Sequence, residues 1–275
     1  MTEPIPPAGI IDRIIASDAA QTAGRIDAIA QDAGNPLRAT MLMEGPIRAF
    51  GVPGLSTHWL NRAVGLGEAS AGDVGWIAAW LRDNAANGCF EIMPDRHGPG
   101  LAAALSAAGY AQTRFDSVSW GVPRRGRPAL PIQTIATEAE MEVFLDCHLE
   151  AWGMPERVRD GARRNMRRWL GRPGWTMLLA RLGDTPAGAA VLHTAERIAY
   201  IAATATRPSA RGKGAQTALL ERCFDFACEA GADIVWSRAL YLSQSHRNML
   251  RVGLRTLCTP AFWTQVSDAH RLREA

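Results

Sequence analysis

The sequence predicts an α/β (α+β) protein of two domains, in each of which helices flank a β-sheet. The chain has 275 residues, of which 47% are hydrophobic, enough to build one large or two ordinary domains. Helix-type and strand-type periodicities alternate along its whole length. A polar segment that contains glycine and proline, residues 124–129, lies between two strand-like runs. We therefore predict domains at 1–123 and 130–275, joined by a linker at 124–129.

The first domain begins with a long helix and then alternates strands and helices. Apolar residues recur with helical spacing from Ile10 to Ala30, and Gly34-Asn35-Pro36 ends that helix. Turn residues and periodicity predict the later elements: strands at 38–43, 47–52 and 59–65, a helix from Asp73 to Asn84, a strand at 89–93, a helix at 100–108 and a strand at 113–122.

The second domain opens with a predicted strand at 132–135. Thr137 and Glu140 have the spacing of a capping box, which predicts that a helix begins there. Pro155 can occupy the first position of the next helix, which is rich in arginine. The remaining predicted elements are strands at 175–181, 187–193 and 198–203, a helix from about 215, a strand at 234–239, a helix at 243–252 and one or two strands within 255–266.

A glycine loop between a strand and a helix organises the second domain. The apolar run at 198–203 predicts the strand, and Pro208 ends it. Gly212 and Gly214 permit open backbone conformations that come close to a ligand. The helix from Ala215 would direct its first free N–H groups and its positive dipole end into this loop. Such a place favours a phosphate or pyrophosphate group.

The loop Arg211-Gly212-Lys213-Gly214-Ala215-Gln216 resembles the acetyl-CoA loop of the GNAT acetyltransferase superfamily, whose usual form is Q/R-x-x-G-x-G/A. Arg211 and Gly214 match this form, whereas Gln216 stands where glycine or alanine is usual. The segment Ser245-His246-Arg247-Asn248, followed by Gly253-Leu254, resembles the S-x-x-N…G-F segment of many members, with Leu254 in place of the usual Phe. For the loop alone, the alternative is an ordinary glycine-rich connection.

The resemblance implies two GNAT-like domains, each with a mixed, mostly antiparallel sheet. The predicted element order of residues 1–123 is similar to that of the family, but residues 65–71 contain no R-x-x-G-x-G/A. We therefore expect a degenerate GNAT-like domain without a cofactor loop at 1–123. The acetyl-CoA-binding domain would then be residues 130–275. An unrelated α+β domain is the alternative for the first half.

The resemblance also implies acetyl-CoA as the cosubstrate. Backbone groups of Thr204, Ala205 and Thr206 would hold its thioester and pantetheine arm, together with Asn248. The pyrophosphate would lie against Arg211, Gly212, Lys213, Gly214, Ala215, Gln216 and Thr217. Residues 124–275 carry a net charge of +7, against −4 for residues 1–123, and a basic half suits an anionic cofactor.

Transfer of an acetyl group to an amine needs a base for the amine and an acid for the departing thiolate. Many family members use a tyrosine of the penultimate helix as the acid, but residues 243–252 contain none. Tyr241, just before that helix, is the nearest substitute, and Ser245 or His246 could replace it. His193, at a strand end, is the candidate base.

Several other polar residues have a structural interpretation as well as a functional one. Glu196 follows His193 in the next turn, whereas His148 lies on an apolar helix face, where histidine is more often part of the core. Cys147 has no visible base partner, and the five cysteines form no metal-ligand pattern, so we predict reduced thiols and no metal. The arginine-rich helix could contact an acidic acceptor, or it could be a solvated face paired with acidic neighbours.

We interpret the chain as a cytoplasmic N-acetyltransferase that uses acetyl-CoA and acts on a primary amine by direct transfer through a ternary complex. A small-molecule acceptor is favoured over a protein. We predict no nucleic-acid or membrane partner, because aromatic-basic interleaving and an apolar run of about 18 residues are both missing. One alternative is a non-catalytic acyl-CoA sensor or scaffold. Another is an enzyme with a different acyl group or a protein terminus as acceptor.

Overall fold

The structure is a computed structural model that describes residues 5–266, apart from the side chain of Arg157. Residues 1–4 and 267–275, which the predicted domains include, lie outside this part. The helices are α1 (Ile10–Ala30), α2 (Val74–Asn84), α3 (Pro99–Ala107), α4 (Glu138–Ala151), α5 (Glu156–Arg167), α6 (Ala215–Glu229) and α7 (Gln244–Arg251). The strands are β1 (Thr40–Glu44), β2 (Ile47–Gly51), β3 (Arg62–Val64), β4 (Cys89–Ile92), β5 (Tyr110–Gly121), β6 (Ile132–Thr134), β7 (Trp175–Leu182), β8 (Thr185–Ala195), β9 (Ile198–Thr206), β10 (Ile234–Leu240), β11 (Arg255–Cys258) and β12 (Ala261–Gln265).

The fold is of the predicted α/β (α+β) class, with mixed, mostly antiparallel pairing and flanking helices. Within the described residues the chain forms two compact units, 5–117 with 258–266 and 118–257. It enters the second unit within β5 and returns to the first at the end of β11. The first unit therefore contains β12, a strand from the far end of the sequence.

In the first unit, strands follow the order β1-β2-β3-β4-β12-β5, and the β3–β4 pair is parallel. The other neighbouring pairs are antiparallel. Helices α2 and α3 bury apolar residues against this sheet, including Ile77, Leu81 and Leu105, with Phe90 of β4 in the same core. This burial of apolar surface is the main favourable contribution to folding of the unit.

A buried ion cluster in the first unit joins α1 to the sheet. The Arg62 guanidinium lies 2.6 Å from the Asp18 carboxylate and 3.1 Å from the Glu91 carboxylate, and it donates to the Thr22 hydroxyl at 3.2 Å. The three charged side chains are at most 4% exposed. Because charges of both signs are buried together, each depends on the others for compensation of its lost hydration.

One strand of the first unit is shorter than the prediction of 59–65. A 3-10 turn, His58–Leu60, precedes β3, which covers only Arg62–Val64. The reason is Asn61, whose carboxamide is hydrogen-bonded to four backbone groups: the N–H groups of Val52 and Ala86 and the carbonyls of Leu55 and Thr57. Because the Asn61 side chain forms hydrogen bonds with these backbone groups, the chain before Arg62 forms a turn and not a β-strand.

In the second unit, strands follow the order β10-β9-β8-β7-β6, with β9 and β10 parallel and the other pairs antiparallel. Helix α6 packs its apolar face, with Leu219, Leu220 and Phe224, on the sheet. Helix α4 begins at the predicted capping box. There the Glu140 N–H donates to the Thr137 hydroxyl at 3.2 Å, and the Thr137 N–H donates to the Glu140 carboxylate at 3.0 Å.

The segment predicted as a linker, residues 124–129, is hydrogen-bonded to α6. Arg124 donates to both carboxylate oxygens of Glu221 at 2.8 Å, and the Gly126 N–H donates to Asp225 at 2.7 Å. The hydrogen bond from Arg124 holds the pKa of the Glu221 carboxyl below its usual value. This segment lies within the second unit. The assignment of separate roles to the two predicted domains stays a prediction.

Candidate functional site

A β-bulge distorts the strand that leads into the glycine loop. In the β8–β9 ladder, Val191 pairs with Ala203 and Leu192 pairs with Ile201, so Ala202 of β9 has no partner of its own. Such a bulge turns the strand and redirects the backbone groups that follow it, and bulges are common next to functional sites. The residues redirected here are Thr204, Ala205 and Thr206, which the sequence predicts to hold the thioester and pantetheine arm.

An opening follows the bulge, between β9 and its parallel neighbour β10. Within the described residues, the ladder between these strands ends at the pair Ile201–Ser237. The Ser237 hydroxyl donates to the Ile201 carbonyl at 2.8 Å and closes this last pair. Strand β9 continues to Thr206 and β10 continues to Leu240. We call this space the strand opening; its walls are the last residues of β9 on one side and β10 with α7 on the other.

The glycine loop lies beyond the end of β9 and opens directly into α6. Gly212 and Gly214 have φ values of 77° and 81°, in the left-handed region that glycine adopts without strain. Gly214 is the N-cap of α6 and contributes no side-chain cap, and the Ala218 N–H donates to the Gly214 carbonyl at 3.0 Å. The N–H groups of Ala215, Gln216 and Thr217 precede that bond and have no acceptor within the helix.

The loop has the charge and exposure that an anion site requires. Arg211, Gly212, Lys213 and Gly214 are exposed, and the two cations flank the N-terminus of α6. A helix of 15 residues directs its positive dipole end to this position. The arrangement can bind a phosphate or pyrophosphate group through backbone N–H groups and two positive side chains.

The structure brings four predicted site residues together across the strand opening. The Gln216 amide nitrogen donates to the Thr204 hydroxyl at 3.0 Å and to the Ser245 hydroxyl at 2.8 Å. The Asn248 amide nitrogen donates to the Gln216 carbonyl oxygen at 2.6 Å. Thr204 belongs to β9, whereas Ser245 and Asn248 belong to α7. The Gln216 carboxamide therefore joins the two walls of the opening.

The candidate acids lie at the junction of β10 and α7. Tyr241 is half exposed, and its ring centroid is 5.5 Å from that of His246. His246 is buried, accepts from the Leu242 N–H at 3.1 Å and lies 2.9 Å from the Thr256 hydroxyl. Burial lowers the pKa of His246, which favours its neutral form. Because both ring nitrogens have partners, His246 stabilises the turn at Leu242, whose φ is 59°.

His193 lies away from these residues. It is buried, pairs with Tyr200 in the β8–β9 ladder and contacts the edge of Trp175 with ring centroids 5.4 Å apart. Tyr200 and Thr206 are six residues apart on β9, which corresponds to about 20 Å along a strand. His193 is thus near the end of the sheet opposite the glycine loop, and a direct hydrogen bond from His193 to that loop is excluded.

The sequence did not predict the aromatic row that surrounds His193. Trp169 stacks on Trp175 at 5.1 Å between ring centroids, and Tyr200 stacks on Trp236 at 3.9 Å. Strand pairing aligns Trp175, His193, Tyr200 and Trp236 on neighbouring strands. Strands β7, β9 and β10 each contain a single aromatic residue, so no local pattern in the sequence indicated this row.

The remaining polar candidates pack in the core, form a turn or form ion pairs between helices. His148 is buried and stacks on Phe144 at 5.4 Å. Burial raises the pKa of the Cys147 thiol to about 11, so this thiol is protonated at neutral pH. Glu196 forms the β8–β9 turn with a φ of 47°. Arg163 of α5 pairs with Glu142 and Asp146 of α4, which supports the interpretation of the arginine-rich helix as a paired face.

The first unit has a cavity at the corresponding place, beyond the ends of its parallel strands β3 and β4. Its volume is about 490 Å³, and Glu68, Asp73 and Asp95 are among its lining residues. The Glu68 carboxylate accepts from the N–H groups of Gly100 and Leu101, both at 2.9 Å, and so caps the N-terminus of α3. This cap is on α3, whereas the helix that follows β3, as α6 follows β9, is α2.

Between residues 5 and 266 no cluster of three or more His, Cys, Asp or Glu side chains is arranged to hold a metal ion. Over the same range, every helix is too short or too polar to cross a membrane.

The model of the acetyltransferase (GNAT) family matches residues 138–252 of this chain. The match includes the glycine loop, the strand opening and α7. A comparison with curated protein sequences gives no significant match.

Solved structures with GNAT folds resemble nearly the whole chain. A GCN5-related N-acetyltransferase from Kribbella flavida is 16% identical, with a TM-score of 0.62, and the alignment covers 94% of this chain and 97% of that one. A GCN5-related N-acetyltransferase from Sphaerobacter thermophilus is 16% identical, with a TM-score of 0.59 and coverage of 92% and 90%. A tandem GNAT protein from the clavulanic acid biosynthesis pathway is 17% identical, with a TM-score of 0.56 and coverage of 90% and 95%. At these identities the likeness establishes the fold.

Proposed function

We propose that the second unit binds acetyl-CoA and transfers its acetyl group to a primary amine of a small molecule. The observation that carries this proposal is the sequence of features along β9. A bulge, a strand opening, a left-handed glycine loop and a free helix N-terminus follow one another within a GNAT-family segment. Each is suited to one part of an acyl-CoA: the thioester, the pantetheine arm and the pyrophosphate.

The chain's own groups would bind and orient the donor. Residues Thr204, Ala205 and Thr206 pair with β8 on one side, and their backbone groups on the other side would supply hydrogen bonds to the arm and the thioester carbonyl. The N–H groups of residues 212–217, with Arg211 and Lys213, hold the pyrophosphate. Asn248 contacts the arm from α7. Holding donor and amine together contributes much of the rate, because it converts a bimolecular encounter into a local one.

In the reaction, the amine nitrogen forms a bond to the acetyl carbon, the carbon–sulfur bond breaks, and the departing thiolate takes a proton. We assign the protonation to Tyr241, which lies between β10 and α7, with the Ser245 hydroxyl of α7 as a second candidate. The amine loses its proton to water or to His193, which requires a water chain because His193 is distant from the loop. Residues 65–73 of the first unit, which precede α2, contain no R-x-x-G-x-G/A, and this missing loop supports a degenerate domain that has no acyl-CoA site.

Removal of the Tyr241 hydroxyl tests the assignment of the acid. We expect Tyr241→Phe to lower kcat by about 100-fold, the usual contribution of a general acid, with the affinity for acetyl-CoA unchanged. The assay follows free CoA thiol and the mass of the acetylated product with acetyl-CoA and a panel of primary amines. Tyr110→Phe, the same change in the first unit, is the matched control and is expected to leave kcat unchanged. Full activity in Tyr241→Phe would remove this residue from the mechanism.

A non-catalytic acyl-CoA sensor or scaffold is the second candidate function. Gln216 favours it, because this side chain bonds both walls of the opening that the pantetheine arm would use. The same assay separates the two functions. Acetyl-CoA binding without an acetylated product for any amine would support the sensor, whereas a product with the expected mass would exclude it.

A further inference from the structure

The Gln216 carboxamide is hydrogen-bonded on both of its ends. Its nitrogen uses two donors, to Thr204 at 3.0 Å and to Ser245 at 2.8 Å, and its oxygen accepts from Asn248 at 2.6 Å. Two donors are all that an amide nitrogen has, so this end is satisfied completely. These bonds hold an internal group of the protein between β9 and α7, at the entrance of the strand opening.

Gln216 lies between the glycine loop and the strand opening. It is the second residue of α6, two positions after the Gly214 cap, so its backbone belongs to the glycine loop while its side chain reaches toward α7. Helix α7 packs on α6 and β10, and it contributes Ser245 and Asn248 to the network. A glycine or alanine at position 216 has no polar side chain and would leave the space between Thr204 and Asn248 free.

We propose that Gln216 is a latch that closes the strand opening and must release Thr204, Ser245 and Asn248 before the pantetheine arm of an acyl-CoA can enter. This proposal rests on the proposed function, since it assigns the same opening to the same ligand. Each amide of the arm has one N–H donor and one carbonyl acceptor, so the arm can replace part of the hydrogen bonding that Gln216 supplies to Thr204, Ser245 and Asn248. The latch therefore changes the affinity for the acyl-CoA and leaves the acetyl-transfer step itself unchanged.

A closed latch lowers the apparent affinity for CoA. When only a fraction of the molecules has the opening free, the apparent dissociation constant is the intrinsic one divided by that fraction. Three hydrogen bonds favour the closed arrangement, each with a modest net contribution. We expect Gln216→Ala to tighten CoA binding by about tenfold. Thr204→Val, which removes one acceptor and keeps the shape of the side chain, should produce a smaller change in the same direction.

The experiment is a calorimetric titration of the full chain with two probes. CoA contains the pantetheine arm, whereas adenosine 3′,5′-bisphosphate carries the nucleotide part alone. We expect Gln216→Ala to tighten the binding of CoA and to leave that of adenosine 3′,5′-bisphosphate unchanged. Gln31→Ala, the same substitution at an exposed glutamine outside the second unit, is the matched control and should alter neither affinity.

The outcomes separate the latch from the proposed function. Tighter CoA binding by Gln216→Ala, including binding that appears only in this variant, supports the latch. Equal or weaker CoA binding by Gln216→Ala, when the wild type binds, overturns the latch and leaves the proposed function intact. Failure of both proteins to bind CoA overturns both, because release of Gln216 then exposes no acyl-CoA site.

Discussion

Replacement of Gly214 by glutamate is expected to weaken acetyl-CoA binding by at least about 100-fold, which corresponds to about 2.8 kcal/mol. Two effects combine at this position. Gly214 has a φ of 81°, and an L-residue with a Cβ pays about 1–2 kcal/mol for the left-handed region. The new carboxylate would also stand at the N-terminus of α6, where it takes the place of the pyrophosphate and repels it. Calorimetric titration of wild type and variant measures the difference.

Gly231→Glu is a matched control for this prediction. Gly231 follows the other end of α6, has a φ of 65° and, like Gly214, has open space where a Cβ would be built. The backbone strain is therefore comparable, while the carboxylate lies at the end of the helix away from the loop. We expect Gly231→Glu to bind acetyl-CoA as the wild type does. Wild-type affinity in Gly214→Glu would contradict the assignment of the pyrophosphate to the loop.

Replacement of Arg62 by methionine is expected to destabilise the protein by about 3–5 kcal/mol, the typical result of removing one partner from a buried ion cluster. Methionine fills a similar volume but leaves the carboxylates of Asp18 and Glu91 buried without the guanidinium that contacts both. Desolvated charges are costly unless they are paired and hydrogen-bonded. Urea unfolding followed by circular dichroism gives the change in the free energy of unfolding.

Arg82→Met is the control for this second prediction, because Arg82 is an exposed residue of α2 in the same unit. Surface substitutions of this kind usually change the free energy of unfolding by less than about 0.5 kcal/mol. If Arg62→Met were as stable as Arg82→Met, a hydrophobic side chain could replace the guanidinium without loss of stability, which would contradict this prediction.

Local signals predicted most of the helices and strands. The capping box of Thr137 and Glu140 located the start of α4, because both bonds of that box lie within four residues. Glycine and proline located the ends of α1 and β9 for the same reason. Strand β5 begins at Tyr110, earlier than the predicted 113, because its first residues pair with β12. That partner lies about 150 residues away, and local patterns contain no information about it.

In the candidate site, too, the features that depend on neighbouring residues were predictable and those that depend on distant residues were not. The glycine loop was predictable, since the left-handed positions and the helix N-terminus depend on neighbouring residues. The Gln216 network was not, because its bonds join residues 12, 29 and 32 positions apart. The sequence marked Gln216 as a departure from a resemblance and as one of the predicted pyrophosphate contacts, but not as a partner of Thr204, Ser245 and Asn248. The physical meaning of that departure, a carboxamide between two walls, needed the tertiary structure.

Amide hydrogen exchange with and without acetyl-CoA tests the central claim, that the second unit holds an acyl-CoA at its glycine loop. The account predicts slower exchange for the amides of residues 212–217 and 203–206 when the ligand is present. The segment 65–73, at the corresponding place of the first unit, should exchange at the same rate in both states. Protection of residues 65–73 with an unchanged loop would contradict the account and would place the ligand in the first unit.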